Sequence, residues 1–353
     1  MTVIAHVNLA RGYRGGERQT EILVRGLCGR DWRQVVVGRR GEPLAQRLRD
    51  IPGVEVREAG NNALSAARAA AGADLFHAHE GRAGQAGLIS RLLYGTPYLI
   101  TRRVPQEPSH RFLTRASYRR AIHIAGVSRA VVESMEAYAP GVPKSCIHSA
   151  MGHLPSDPAG AAAIRARFPG KLLAGNIGAL VDKHKGQTVL IETARTLAGT
   201  HPEIVFVLVG SGRDEERMKA LAGNLPNVVF EGYRDNVGDY LAAFDFLVFP
   251  SREEGLGSSV IDAMDYGLPT VASRVGGLPE LVFDGETGLL VPPGDPQALR
   301  EAVVRVAQDP QLRRRMGEAA KRRAAAYAPE AMIEAYDRLY RDLLAGRPGG
   351  RAP

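Results

Sequence analysis

Two cysteines, Cys28 and Cys146, are all that the 353 residues hold, and they stand far apart. So few exclude a disulfide-stapled scaffold and a cysteine-based zinc or redox motif, and both read as free thiols of a reducing cytoplasm. No apolar run approaches the roughly 20 residues that a membrane-spanning helix needs. The opening stretch, MTVIAHVNLARGYRGG, has no basic segment ahead of a long apolar one, so it is expected to form a first strand and not a secretory signal. There is no GxGxxG fingerprint and no GxxxxGK[ST] loop, which argues against dinucleotide-dependent dehydrogenases and P-loop ATPases.

What is present is ordinary in composition and basic in charge. Hydrophobic residues make up 44% and charged residues 24%, as in a globular protein of two domains. The net charge is +8. Much of the excess lies in Arg111, Arg115, Arg119 and Arg120, and in a second group from Arg313 to Arg323. No aromatic residues interleave with the second group, so it reads as a solvated helix face and no nucleic-acid partner is expected.

Short apolar or β-branched runs alternate with helical patterns. Strands are expected at 3–9, 34–38, 54–58, 75–79, 97–102 and 123–128, and again at 172–180, 204–210, 227–231, 246–250, 270–273 and 288–291. Helical patterns lie between them, at 17–29, 62–72 and 83–94 and then at 187–199, 213–222, 257–267, 296–308 and 311–327. This alternation predicts an α/β chain with two doubly wound, Rossmann-like domains on parallel sheets, facing a cleft at their strands' carboxyl ends. The Pro-, Gly- and Ala-rich stretch 152–170 reads as a linker with one short helix. The expected division is 1–155, 156–328, a final helix at 329–345 crossing back to the first domain, and a disordered tail at 346–353. Met332, Ala335, Tyr336, Leu339 and Leu343 give that helix one buried face.

The most informative segment is FDFLVFPSREEGLGSSVIDAMDYGLPTVASRVGGLPELV. A strand ends near Pro250, a loop carries Glu253, Glu254, Gly255 and Gly257, and a helix begins near Ser258. The first amides of a helix lack internal partners and sit at its positive end, and glycine lets them approach a phosphate. Gly257, Ser258 and Ser259 therefore form an anion-binding helix start, with Glu254 before it and Asp262 one turn in. This carboxylate pair, with EGxG before and AM after, resembles the donor motif of glycosyltransferase family 4, as does GLPTVASRVGGLPELVFDGETGLLVPPGDPQAL after it. By that resemblance Glu254 holds the donor sugar and Asp262 the ribose, although the family usually has Glu at the second position.

GNIGALVDKHKGQTVLI resembles the family's first strand and turn of the donor domain, where an Arg and a Lys-Gly pair meet the diphosphate. Lys185 and Gly186 match the pair. Ala179 stands at the Arg position, and Lys183 or His184 is left to supply the charge. LVGSGRDEERM and VVFEGYRDNVGDYLAAFD resemble the turns around the base, which brings in Gly210, Gly212, Gly232, Tyr233 and Arg234. Tyr233 reads equally as packing or as a stacking partner.

In the first half, Gly15 and Gly16 resemble the family's Gly-Gly turn after strand one, where backbone amides meet donor phosphates. DLFHAHEGRAG resembles its Asp-x-x-His-x-His. His77 and His79 share one strand face, and His79 either lines the site or is a buried structural histidine. No further metal ligand stands at site spacing, so no metal is expected. Arg102 and Arg103 occupy the place of a T-x-H histidine, and AGVSRAVVESM offers Ser128 as a helix cap.

The resemblance implies a retaining transferase that moves a sugar from a nucleoside diphosphate sugar to a hydroxyl, with no cofactor. Catalytic candidates are Glu254, Lys185, His79 and Arg103. An acceptor, either a glycan or a lipid-linked one, is expected at Arg102, Arg103 and Arg119. Peripheral contact with an anionic membrane, at the cytoplasmic face, is a further expectation. The alternatives are a sugar-nucleotide 2-epimerase on the same fold and a non-catalytic sugar-nucleotide binder, the latter suggested by Ala179 and the missing histidine.

Overall fold

The computed structural model describes residues 1–346, so the expected tail lies, beyond Gly346, outside the described residues. The chain forms two compact units. Met1–Gly152 and the chain from Tyr327 make the first, and His153–Ala326 the second.

The first unit's strands are β1 (Thr2–Asn8), β2 (Trp32–Arg39), β3 (Val54–Ala59), β4 (Leu75–Ala78), β5 (Tyr98–Arg102), β6 (His123–Gly126) and β7 (Lys144–Cys146). They pair in parallel in the order β3-β2-β1-β4-β5-β6-β7. The second unit has β8 (Leu172–Ile177), β9 (Ile204–Val209), β10 (Val228–Gly232), β11 (Phe246–Phe249), β12 (Thr270–Ser273) and β13 (Gly288–Val291). Their order is β10-β9-β8-β11-β12-β13, again parallel. β7 was not expected, because three residues, KSC, carry no apolar pattern.

Burial on both faces explains the strand sequences. β9 reads IVFVLV and all six residues are buried, as a central parallel strand covered by helices requires. Several helices are started by side chains. Asp295 accepts from the amides of Gln297 and Ala298, and Asp309 from that of Leu312, each followed by proline in the first turn. Asn62, Glu80 and Ser128 cap three helices of the first unit in the same way.

The helix Pro329–Ala345 packs in the first unit. Met332, Ile333, Tyr336 and Tyr340 join Leu23, Leu27 and Trp32 in one apolar cluster. Gly26 permits this, since a Cβ there would lie 2.0 Å from Ile333 Cδ1.

In each sheet the strand order reverses once, between β1 and β4 and between β8 and β11. Ligands of such sheets bind outside the strands' carboxyl ends at that reversal.

Candidate functional site

In the second unit the loops after β8 and β11 meet at the reversal. The amides of Arg252 and Glu253 both donate to the His184 carbonyl, at 2.8 and 3.1 Å. This stitching brings Lys185 Nζ to 2.5 Å from Glu254 Oε2. His184 Nδ1 lies 2.6 Å from Glu253 Oε2. Ser251 Oγ also reaches Glu254 Oε2, at 3.3 Å, and the Lys185 ammonium stands 5.0 Å from the Phe249 ring centroid. One ammonium–carboxylate pair and one imidazole–carboxylate pair thus sit side by side where a ligand is expected.

Two glycines make this approach feasible. Gly186 has φ +63°, and a Cβ on it would meet the Pro250 carbonyl oxygen at 2.1 Å. Gly276 has φ +52°, and its Cβ would meet the Glu254 carbonyl oxygen at 1.8 Å. Both positions favour glycine in conformation and in space.

The helix Ser258–Asp265 follows Gly257 with no side-chain cap on its first amides. Ser258 and Ser259 therefore open it with donors left for an anion. Gly255 lies in the loop before it, and Asp262 is buried one turn in. Gly210 and Gly212 press against the backbone of Gly178 and Leu180, so both are needed to let the loops after β8 and β9 touch.

Other expected residues have structural partners. Arg234 pairs at 3.2 Å with buried Glu231, which also binds Arg167 and Tyr240. Tyr233 is 61% exposed. Ala179 keeps its carbonyl on Gln187 Nε2 at 3.0 Å and adds no charge, while Lys183 is exposed. Asp182 was missed by sequence reading. Its carboxylate accepts from the Thr188 amide and hydroxyl, both at 2.8 Å, and so orients the helix after Lys185.

In the first unit the reversal holds histidines. β1 and β4 pair so that His6 stands opposite His77. His6 Nδ1 is 3.2 Å from His79 Nε2. His77 Nδ1 meets the Tyr340 hydroxyl and its Nε2 meets Thr101 Oγ1, both at 2.6 Å, and Thr101 Oγ1 also meets the Tyr336 hydroxyl at 2.7 Å. All three imidazoles are buried. Burial pushes His6 down to about 3, against a Gln34 contact that raises it, and holds His77 and His79 well below the ordinary imidazole value, where neighbouring imidazoles and the Arg103 charge add to the effect. The trio is close enough to hold an ion. It fits one poorly: both nitrogens of His77 are taken by hydroxyls, and the Arg103 charge repels further positive charge.

Arg103 lies against Gly16, whose added Cβ would be 3.5 Å from Arg103 Cδ. Gly15 and Gly16 begin the helix Gly15–Gly26. Arg102 is spent on structure, donating to the Tyr118 hydroxyl at 3.2 Å and to the Gln106 carbonyl.

Arg119 corrects the expectation of one arginine patch. Arg102 and Arg103 stand at the carboxyl end of β5, whereas the helix Phe112–Arg119 delivers Arg119 ahead of β6, at the opposite edge of the parallel sheet. There Arg119 and Arg120 line a cavity of about 390 Å³ with Arg91.

Residues 171–309 match the family model described as glycosyl transferases group 1. The match falls within the second unit. The matched stretch contains both reversal loops and both carboxylates of the motif. Among relatives, the chain is 31% identical over 156 residues to N-acetyl-alpha-D-glucosaminyl L-malate synthase of Bacillus anthracis, covering 43% of this chain and 41% of that one. It is 29% identical over 300 residues to D-inositol 3-phosphate glycosyltransferase of Streptomyces avermitilis, covering 76% and 65%. The chain spans about half the length of the curated relatives it matches. Across both units the fold is like that of Anabaena HepE, solved with UDP-glucose, at a TM-score of 0.84 and 19% identity over 97% of this chain and 100% of that one. The chain therefore has the GT-B glycosyltransferase fold.

Proposed function

We propose that the protein is a retaining glycosyltransferase that moves a sugar from a UDP- or GDP-sugar to a hydroxyl of a glycan or lipid-linked acceptor in cell-surface polysaccharide or lipopolysaccharide synthesis. The observation that carries this is the meeting of Lys185 and Glu254 at 2.5 Å beside an uncapped helix start. The leaving group of such a transfer is a diphosphate, and its developing charge is the main thing a catalyst must stabilise. Lys185 would leave Glu254 for the phosphates, with the Ser258 and Ser259 amides as further donors. Glu254, released, would accept from the sugar hydroxyls and Asp262 from the ribose. UDP-glucose in the HepE structure and the lipopolysaccharide core role of a 31% identical Rhizobium meliloti relative support the donor class and the setting.

Among the described residues no helix is long and apolar enough to cross a membrane. Peripheral contact is supported by exposed Phe112, Leu92 and Leu93 near Arg91, Arg115 and Arg120. Changing Arg115, Arg119 and Arg120 to Glu is expected to abolish binding to anionic vesicles, and unaltered binding would remove this part. The reaction itself is tested by offering labelled UDP- and GDP-sugars with lipid-linked and free glycans and reading the anomeric configuration of the product by NMR. A product with the donor's configuration is expected. An inverted product contradicts retention, and epimerised donor formed without acceptor points to the epimerase.

A further inference from the structure

The first unit's reversal contains donors and an acceptor that the described residues leave without partners. Arg103 makes no hydrogen bond and no ion pair there, and its Nε is enclosed without a partner. Glu17 lies in its field but accepts nothing from it and is committed elsewhere, accepting from the Arg14 amide at 2.9 Å. His79 is 2% exposed, and its Nδ1 has no partner either. The first amides of Gly15 and Gly16 open a helix of 12 residues and have no intrahelical acceptor. Arg103 lies over Gly16, its Cδ and Nε 3.5 and 3.8 Å from where a Cβ would stand, so the guanidinium is beside this helix start.

A guanidinium whose Nε is enclosed without a partner is costly to keep. Its planar fork and a helix start both suit one kind of guest, a compact oxyanion. A cation is disfavoured by the same charge. Nothing basic from Arg119 contributes, since that residue is at the other edge of the sheet.

We infer that Arg103, with the Gly15 and Gly16 amides, binds a phosphoryl or carboxyl group carried by the acceptor, next to a hydroxyl that hydrogen-bonds His79 Nδ1. His79 suits this in either tautomer. If it donates its Nε2–H to His6 it presents a lone pair, and if it accepts there it presents an N–H. A hydroxyl answers both. The acceptor is thus an anionic polyol or sugar, not a neutral one. This rests on the transferase reading, because only then is the first unit's ligand an acceptor.

The test is titration calorimetry of the full chain with inorganic phosphate, and with acetate at matched ionic strength, in wild type, Arg103→Gln and Arg103→Lys. Each is repeated with UDP at saturation, and UDP is also titrated alone. The expected result is phosphate or acetate binding in the wild type that survives UDP, weakens at least tenfold in Arg103→Gln and is partly kept in Arg103→Lys. The better of the two anions names the group. Equal binding by wild type and Arg103→Gln, competition by UDP, or no anion binding in the wild type would each overturn the inference. Circular dichroism of both variants shows whether a loss reflects the site or the fold. Absence of UDP binding sinks the transferase reading separately.

Discussion

The two sheets share one winding, and their reversals differ in chemistry. In the second unit Lys185 meets Glu254 as an ion pair and His184 meets Glu253 beside it, all open to solvent in part. In the first, His6, His77 and His79 are buried and neutral, and the Nε of Arg103 beside them has no partner. The same topology therefore supplies a place and leaves the chemistry to the loop residues. A pre-neutralised pair is suited to exchange partners with an incoming diphosphate. A dry histidine cluster holds its shape and accepts charge poorly.

Acid is expected to separate the two units most strongly. Unfolded, His6 titrates near 6.5, and folded it titrates at about 3. Between these values only the unfolded chain binds the proton, so stability falls as pH drops below about 6.5. From His6 alone the loss is about 2 kcal/mol at pH 5 and on the order of 4–5 kcal/mol near pH 3. His77 and His79 shift the same way. Denaturant melts from pH 7 to 5 should show the first unit weakening ahead of the second, and His6→Gln should flatten that slope. Parallel loss in both units would break the contrast.

Lys185→Ala is expected to lower kcat by roughly 10²–10³, about 3–4 kcal/mol, as removal of one stabiliser of developing charge does. Stability should hardly move, because a partly exposed ion pair contributes about 0–1 kcal/mol. Steady-state kinetics and a thermal melt check both halves. Gly276→Ala should do the reverse of that, costing about 2–3 kcal/mol of stability through its φ of +52° and its contact with the Glu254 carbonyl. A melting temperature within a degree of wild type would contradict it. The smallest effect is expected from Tyr340→Phe, which leaves His77 Nδ1 without its hydroxyl partner and should cost about 1–2 kcal/mol with little change in nucleotide affinity.

Much of the second unit was legible because its signals are local. The apolar runs are strands, and the segment from Pro250 to Asp262 carries its loop, helix start and carboxylates in consecutive residues. The first unit was harder because its site is assembled by topology. His6 is 71 residues from His77, and only the β1–β4 pairing sets them side by side. The arginines from 102 to 120 read as one patch in sequence, yet a helix of eight residues, about 12 Å long, carries the chain from one edge of the sheet to the other. Partners were likewise hidden. Nothing in the sequence around Arg234 announces that Glu231 holds it, or that Arg102 is engaged by Tyr118. From the sequence alone, Ala179 was visible as a departure.

The central claim is that the second unit's reversal is a donor site in which Lys185 and Glu254 trade each other for the nucleotide sugar. Titrating UDP and UDP-glucose, then GDP and GDP-mannose, into wild type, Lys185→Ala and Glu254→Ala tests it directly. The account predicts that one diphosphate binds the wild type, that Lys185→Ala weakens diphosphate and diphosphate sugar alike, and that Glu254→Ala removes only the increment added by the sugar. Wild-type affinity in both variants, or no binding of any of the four ligands, would contradict it.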